Sequence, residues 1–186
     1  LVGSEMCIRD RSFREFLNME KQIEIPVYSL KDILNHEVSV PLDFHPLPYF
    51  REYIRRGYYP FSSQPGYGIR LQQVMIQTLE VDIPQYAGMN VATSRKLARL
   101  LSILSGQAPY KPNMSRLSVE LSVSKNDLPD YLGYLEKAGL IGLLRDETEG
   151  LRGLGKVEKV FVDNPNLMYA LQGVETNIGN VRETFF

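Results

Sequence analysis

The chain has 186 residues, with 21 Lys and Arg against 22 Asp and Glu, so its formal net charge is −1. Apolar types make up 44% and charged types 23%, the balance of a soluble globular protein, which excludes a disordered or collagen-like chain. Near-neutral charge gives no global attraction to nucleic acid or to an anionic membrane; no run approaches the roughly 20 apolar residues that cross a bilayer, and no charged start with an apolar core marks a secretory leader.

Residues 1–11, Leu1-Val-Gly-Ser-Glu-Met-Cys-Ile-Arg-Asp-Arg11, read as foreign to the fold. They resemble translated adapter sequence at the edge of a metagenome-derived reading frame and are set apart from the fold reasoning. The single cysteine, Cys7, lies among them, so disulfides, thiolate metal sites and a cysteine nucleophile are not expected, in keeping with a cytoplasmic location. With Leu at position 1 and a still-apolar helix at Asn180–Phe186, the chain reads as a fragment.

Ser12 followed three residues later by Glu15 predicts a capping box and a helix through Phe16 and Leu17. Ile23-Glu-Ile25 reads as a short extended piece, and Ser29 caps a short helix through Leu34. Val38 to Pro46 reads as a loop. Leu47, Phe50 and Ile54 fall at helical spacing with Gly57 as a stop, and Tyr58–Gly66 reads as a turn-rich connector. Leu71, Val74, Met75 and Leu79 make one apolar helical face that ends near Pro84. Ser94 is expected to cap a helix with Leu97, Leu100, Leu101 and Leu104 inward. Ala108-Pro-Tyr-Lys-Pro-Asn113 is the expected domain boundary.

Beyond it, Ser115–Val123 predicts a short helix, Lys125-Asn126 a turn, and Leu128, Tyr131, Leu132, Leu135 and Ala138 a longer helix closed by Gly139. Leu140–Leu144 and Val157–Val162 read as strands joined by a glycine-bearing loop, and Asp163-Asn-Pro165 opens a last helix. Helix, turn, helix and hairpin is a winged helix-turn-helix order.

Gly150-Leu-Arg-Gly-Leu-Gly-Lys156 matches the first seven positions of a phosphate-binding P-loop. The eighth position requires a Ser or Thr hydroxyl for Mg²⁺, and here it is Val157. A helix should also start at the lysine, yet a β pattern follows, so the stretch reads as a hairpin loop. From Asn126 to Ala138 the charges are Asp127, Asp130 and Glu136 against Lys137, which disfavours a phosphate-contacting second helix. Arg152, Lys156 and Lys159 on the hairpin are the candidate wing contacts. Tyr49–Phe61 interleaves aromatics with Arg51, Arg55 and Arg56, a mixture suited to stacked bases or to a protein interface. His36 and His45 have no His or Cys partner at metal spacing, and no Gly-x-Ser-x-Gly elbow occurs, so no catalytic or metal residue is assigned.

Five segments occur in order: Ser12-Phe-Arg-Glu-Phe-Leu17, Tyr53-Ile-Arg-Arg-Gly-Tyr-Tyr-Pro60, Tyr131-Leu-Gly-Tyr-Leu-Glu-Lys-Ala-Gly-Leu-Ile141, Lys159-Val-Phe-Val-Asp-Asn-Pro-Asn-Leu-Met168 and Gly179-Asn-Val-Arg-Glu-Thr-Phe-Phe186. Together they resemble the bacterial and archaeal AAA-type ATP-binding proteins that carry a C-terminal domain of unknown function. The resemblance implies a mainly α chain in which 12–108 is a helical linker or lid at the C-terminal edge of an ATPase domain. It makes 109–173 a winged helix with a two-stranded β-hairpin, and 174–186 the start of a truncated α/β domain. It further implies that the intact protein binds ATP with Mg²⁺, that this piece carries no cofactor of its own, and that its partners are the missing ATPase and C-terminal domains. Two other readings stand beside it: a winged-helix DNA-binding regulator, and a protein-interaction module without catalysis. None involves a membrane.

Overall fold

The computed structural model of the chain describes residues 11–40, 43–146, 156–172 and 176–186. The elements are mainly helical with one two-stranded antiparallel sheet, and they fall into two units that divide between Tyr67 and Gly68.

The first unit is built around one tyrosine. Helix α1 (Phe13–Lys21) starts as expected: Ser12 Oγ accepts from the Glu15 N–H, and the Ser12 N–H donates to the Glu15 carboxylate. Its inward residues Phe16 and Leu17 are buried against α3 (Pro46–Arg56), whose inward residues are Tyr53 and Ile54. The Tyr53 ring lies 4.8 Å from Tyr58, 5.4 Å from Phe13, 5.6 Å from Phe16 and 6.4 Å from Phe50, centroid to centroid. Such offset and tilted rings add stabilisation beyond their burial. Between these helices, α2 (Leu30–Leu34) opens on a capping box formed by Ser29 and Asp32 and buries none of its residues.

The turn-rich segment after α3 is as expected and contains a 3₁₀ turn, Pro60–Ser63, with Tyr59 and Phe61 buried and their rings 5.5 Å apart. One expectation for this unit changes. Arg11, set apart with the foreign stretch, is buried inside the unit. Its guanidinium donates to the Gly57 and Tyr59 carbonyls, to Ser62 Oγ and to Glu20, and sits over the Phe16 ring. The Gly57 carbonyl is left over where α3 ends, and the Tyr59 carbonyl, which already takes the Ser62 N–H, has a second lone pair, so a forked donor from outside reaches both.

In the second unit, α4 (Tyr67–Gln77) runs on through a π-helical turn, Thr78–Asp82, into α5 (Ile83–Ala87). The buried apolar face ends at Ile83, beside Pro84 as expected, while the helix itself continues past the proline to Ala87. Proline removes one ladder N–H and crowds the carbonyl four residues back, and the wider turn accommodates both. Gly88, in the left-handed conformation at φ 63°, closes α5.

Helix α6 (Val91–Gln107) begins at Asn90, whose side chain accepts from the Thr93 N–H at 2.9 Å. Ser94, the expected cap, lies one turn inside on the buried face with Leu97, Leu100, Leu101 and Leu104. This face packs against α7 (Met114–Leu121), α8 (Leu128–Lys137), strand β2 (Val157–Val162) and α9 (Pro165–Gln172). Each fully buried leucine contributes about 1.5–3 kcal/mol. Ala108–Asn113 is consequently a link within the unit, and the division lies at residue 67. Tyr110 in that link exchanges both backbone hydrogen bonds with Val160, at 2.9 and 3.2 Å.

Gly139, at φ 67°, turns α8 into strand β1 (Ile141–Arg145), which pairs antiparallel with β2. Ile141 lies opposite Val162 and Leu143 opposite Val160, with an irregularity between Leu144 and Arg145. Ile141, Val160 and Val162 are buried while Leu144 is exposed, the period-two signature of a one-sided sheet. Arg145 grips the Glu136 carboxylate with both terminal nitrogens, tying the sheet back to α8. Helix α10 (Ile178–Phe185), capped by Asn177, buries Val181 and packs on α9.

Candidate functional site

The aromatic and basic residues of Tyr49–Phe61 separate by side. Tyr53 is buried against α1 and the half-buried Phe50 packs edge-on against Phe13, so neither ring is an open stacking platform. Arg51, Arg55 and Arg56 are exposed. Arg56 lies 2.6 Å from the Glu52 carboxylate, which also takes Lys21 at 2.8 Å. Partial burial pushes the Glu52 carboxyl up, but the Lys21 and Arg56 donors outweigh it and hold it below its usual value.

The hairpin cations are engaged locally. Lys156 stands 4.0 Å from Glu158, which also receives Lys111 at 2.5 Å. Lys159 pairs with Glu183 and lies 5.5 Å over the Phe161 ring. Arg152 and the glycine-bearing stretch 150–155 lie outside the described residues. Lys156 leads directly into β2, so no helix N-terminus stands behind it to receive phosphates. The residues on this side of the motif do not fit ATP with Mg²⁺.

Helix α8 exposes Asp130 and, in the turn before it, Asp127. Its one cation, Lys137, donates to Tyr86 Oη at 3.0 Å and sits 5.2 Å over that ring; the hydrogen bond raises the Lys137 pKa. The face that would enter a DNA groove is therefore acidic. Among the described residues no group of three or more His, Cys, Asp or Glu is placed to hold a metal ion, and no helix is long and apolar enough to cross a membrane. His36 is a left-handed residue after α2, and His45 precedes α3 without a side-chain cap bond.

Sequence reasoning did not single out the segment 27–40. Leu30 is 72% exposed, Leu34 70% and Ile33 52%, and Val27, Val38 and Val40 are also exposed. The segment is nonetheless closed on itself. Tyr28 Oη donates to the Ser39 carbonyl at 2.6 Å and accepts from the Ser39 N–H at 3.1 Å. The Glu37 N–H donates to the Asp32 carbonyl, finishing α2. The signal in the sequence is the helical spacing of Leu30, Ile33 and Leu34, which marks an apolar face without saying whether anything covers it. These residues leave a locally fixed apolar face, on the order of several hundred Å², exposed to solvent.

A family model described as Domain of unknown function (DUF8612) matches residues 47–178, and the chain belongs to that family. No curated protein matches the chain. No solved structure matches it.

Proposed function

We propose that this member of the DUF8612 family is the lid and winged-helix region of an AAA-type ATP-binding protein, coupling nucleotide state to an effector domain. The observation that carries the reading is the apolar face of Val27, Leu30, Ile33 and Leu34 on a structured but uncovered element. In this reading the nucleotide-binding domain docks there, because a preformed apolar face binds without an ordering cost.

The second unit supports the same reading. Helices α6, α7 and α8, the single Tyr110 bridge and the β1–β2 pair follow one another in the order of a winged helix-turn-helix, with α6 as its first helix. One core joins α6 to the sheet, so a rotation imposed at one end is carried as a rigid body. ATP and Mg²⁺ are held elsewhere in this reading, since the Lys156 stretch does not fit them. A pure interaction module is the second reading, favoured by the same apolar face; a DNA-reading α8 is opposed by Asp127 and Asp130.

Hydrogen exchange on the full-length gene product, with and without Mg²⁺-ATP, separates these readings. Coupling requires nucleotide-dependent protection in residues 27–40 and a concerted change from α6 to β2. A full-length product that binds no ATP, or that binds it with no change in either region, refutes the proposal.

A further inference from the structure

We propose that the solvent face of α6 is a docking ridge for the phosphate backbone of duplex nucleic acid, carried by Arg95 and Arg99. The helix holds three cations, Arg95, Lys96 and Arg99, and no acidic residue, in a chain whose net charge is −1. At helical spacing Ala92, Arg95, Arg99, Ser102 and Gly106 form one stripe, and all five are exposed. The opposite face is the leucine core.

Among the described residues neither arginine has an ion-pair partner, whereas Lys111, Arg145 and Lys159 of the same unit are each held by a glutamate. Four residues apart on a helix, Arg95 and Arg99 are neighbours, about 5–6 Å between Cβ atoms. Two parallel guanidinium forks at that spacing match successive anionic groups along a strand. On the flank of the stripe Lys96 Nζ donates to the Ser122 carbonyl at 3.1 Å. That contact brings the turn at 122–127 against α6, adding the exposed Lys125 and one carboxylate, Asp127.

The make-up of the stripe selects the partner. Protein interfaces are organised around buried aromatic or aliphatic anchors. On either side of its arginines the stripe offers only alanine, serine and glycine, which allow close approach but bury little apolar area. Arginine and serine side chains on a smooth surface are the groups that position a duplex by its phosphates without reading its bases. The contact is to phosphates alone and is therefore independent of base sequence. The inference stands on the second unit alone and does not depend on the nucleotide reading above.

Fluorescence anisotropy of a short labelled DNA duplex, titrated with the chain at several salt concentrations, tests it. Three phosphate contacts, from Arg95, Arg99 and Lys125, give a slope of log K against log salt of about −2.7. Replacing both residues, Arg95→Gln with Arg99→Gln, should reduce that slope by about 2. Arg95→Lys with Arg99→Lys should keep most of it, and far-UV circular dichroism checks that each variant is folded. The proposal is overturned if the wild-type chain shows no salt-dependent duplex binding at low ionic strength, or if the double glutamine variant binds unchanged. It is equally overturned if poly-glutamate displaces the labelled duplex as well as unlabelled duplex does, because the ridge is then a site for acidic protein.

Discussion

Arg11 Nη2 donates to Ser62 Oγ at 2.7 Å, joining residues 51 apart in sequence. The same guanidinium satisfies the Gly57 and Tyr59 carbonyls and pairs with Glu20 at 2.9 Å. Removing it takes the Arg11 donor from the Glu20 carboxylate and from the Gly57 carbonyl, and leaves the Tyr59 carbonyl to the Ser62 N–H. Breaking a buried pair from one side costs about 3–5 kcal/mol. Arg11→Ala should destabilise the first unit by that order in urea denaturation. Arg11→Lys should fall between, because an ammonium can follow Glu20 but cannot reach three acceptors with a planar fork.

Gly57 is required by space. A Cβ there would lie 2.4 Å from Tyr53 Cδ2 and 2.5 Å from Tyr53 Cα, and the Tyr53 ring is wedged among four others. Its φ of −90° is open to any residue, so the penalty is steric. Overpacking costs about 1–3 kcal/mol, more than the gain of about 0.4–1 kcal/mol from stiffening the unfolded chain. Gly57→Ala should lower the melting temperature and alter the near-UV tyrosine signal, and Gly57→Ser should do the same.

Glu52 contributes to acid sensitivity. Its folded pKa lies below the ordinary 4.5 because Lys21 and Arg56 stabilise the carboxylate against the opposing effect of burial. A depressed carboxylate binds fewer protons in the folded state than in the unfolded one, so its stabilisation is complete above about pH 4.5 and is lost as pH falls through the folded value. Thermal melts from neutral to acid pH should show Glu52→Gln less stable than wild type near neutrality and converging with it in acid. The comparison isolates Glu52 from Glu15 and Asp32, whose carboxyls are also lowered by their capping serines and remain present in both proteins.

Features set by nearest neighbours in sequence were legible beforehand. The Ser12–Glu15 capping box, the leucine face of α6, the acidic α8 and the strand after Lys156 all follow from spacing within a few residues. What escaped depends on distant chain. Arg11 belongs to the fold because acceptors 46 to 51 residues away need a donor. The boundary expected at Ala108 is bridged by α6, whose leucines find β2 and α9 only in three dimensions. Ser94 had the composition of a cap, yet it lies in register with buried leucines, and Asn90 caps instead. The apolar face at 27–40 has the same helical spacing as a buried one, so periodicity alone could not say that it is uncovered.

That last ambiguity yields the sharpest contrast within one unit. Leu17 is 1% exposed, and Leu17→Ala should cost about 2–5 kcal/mol through lost burial and a cavity. Leu30 and Leu34 are 72% and 70% exposed, so Leu30→Ser with Leu34→Ser should change stability by no more than about 0.5 kcal/mol per site. The same pair should reduce binding of a hydrophobic dye and any self-association seen by light scattering. Should the double serine variant instead lose stability as Leu17→Ala does, the α2 face is already covered within the chain. A nucleotide-binding domain would then have no free α2 face to dock against.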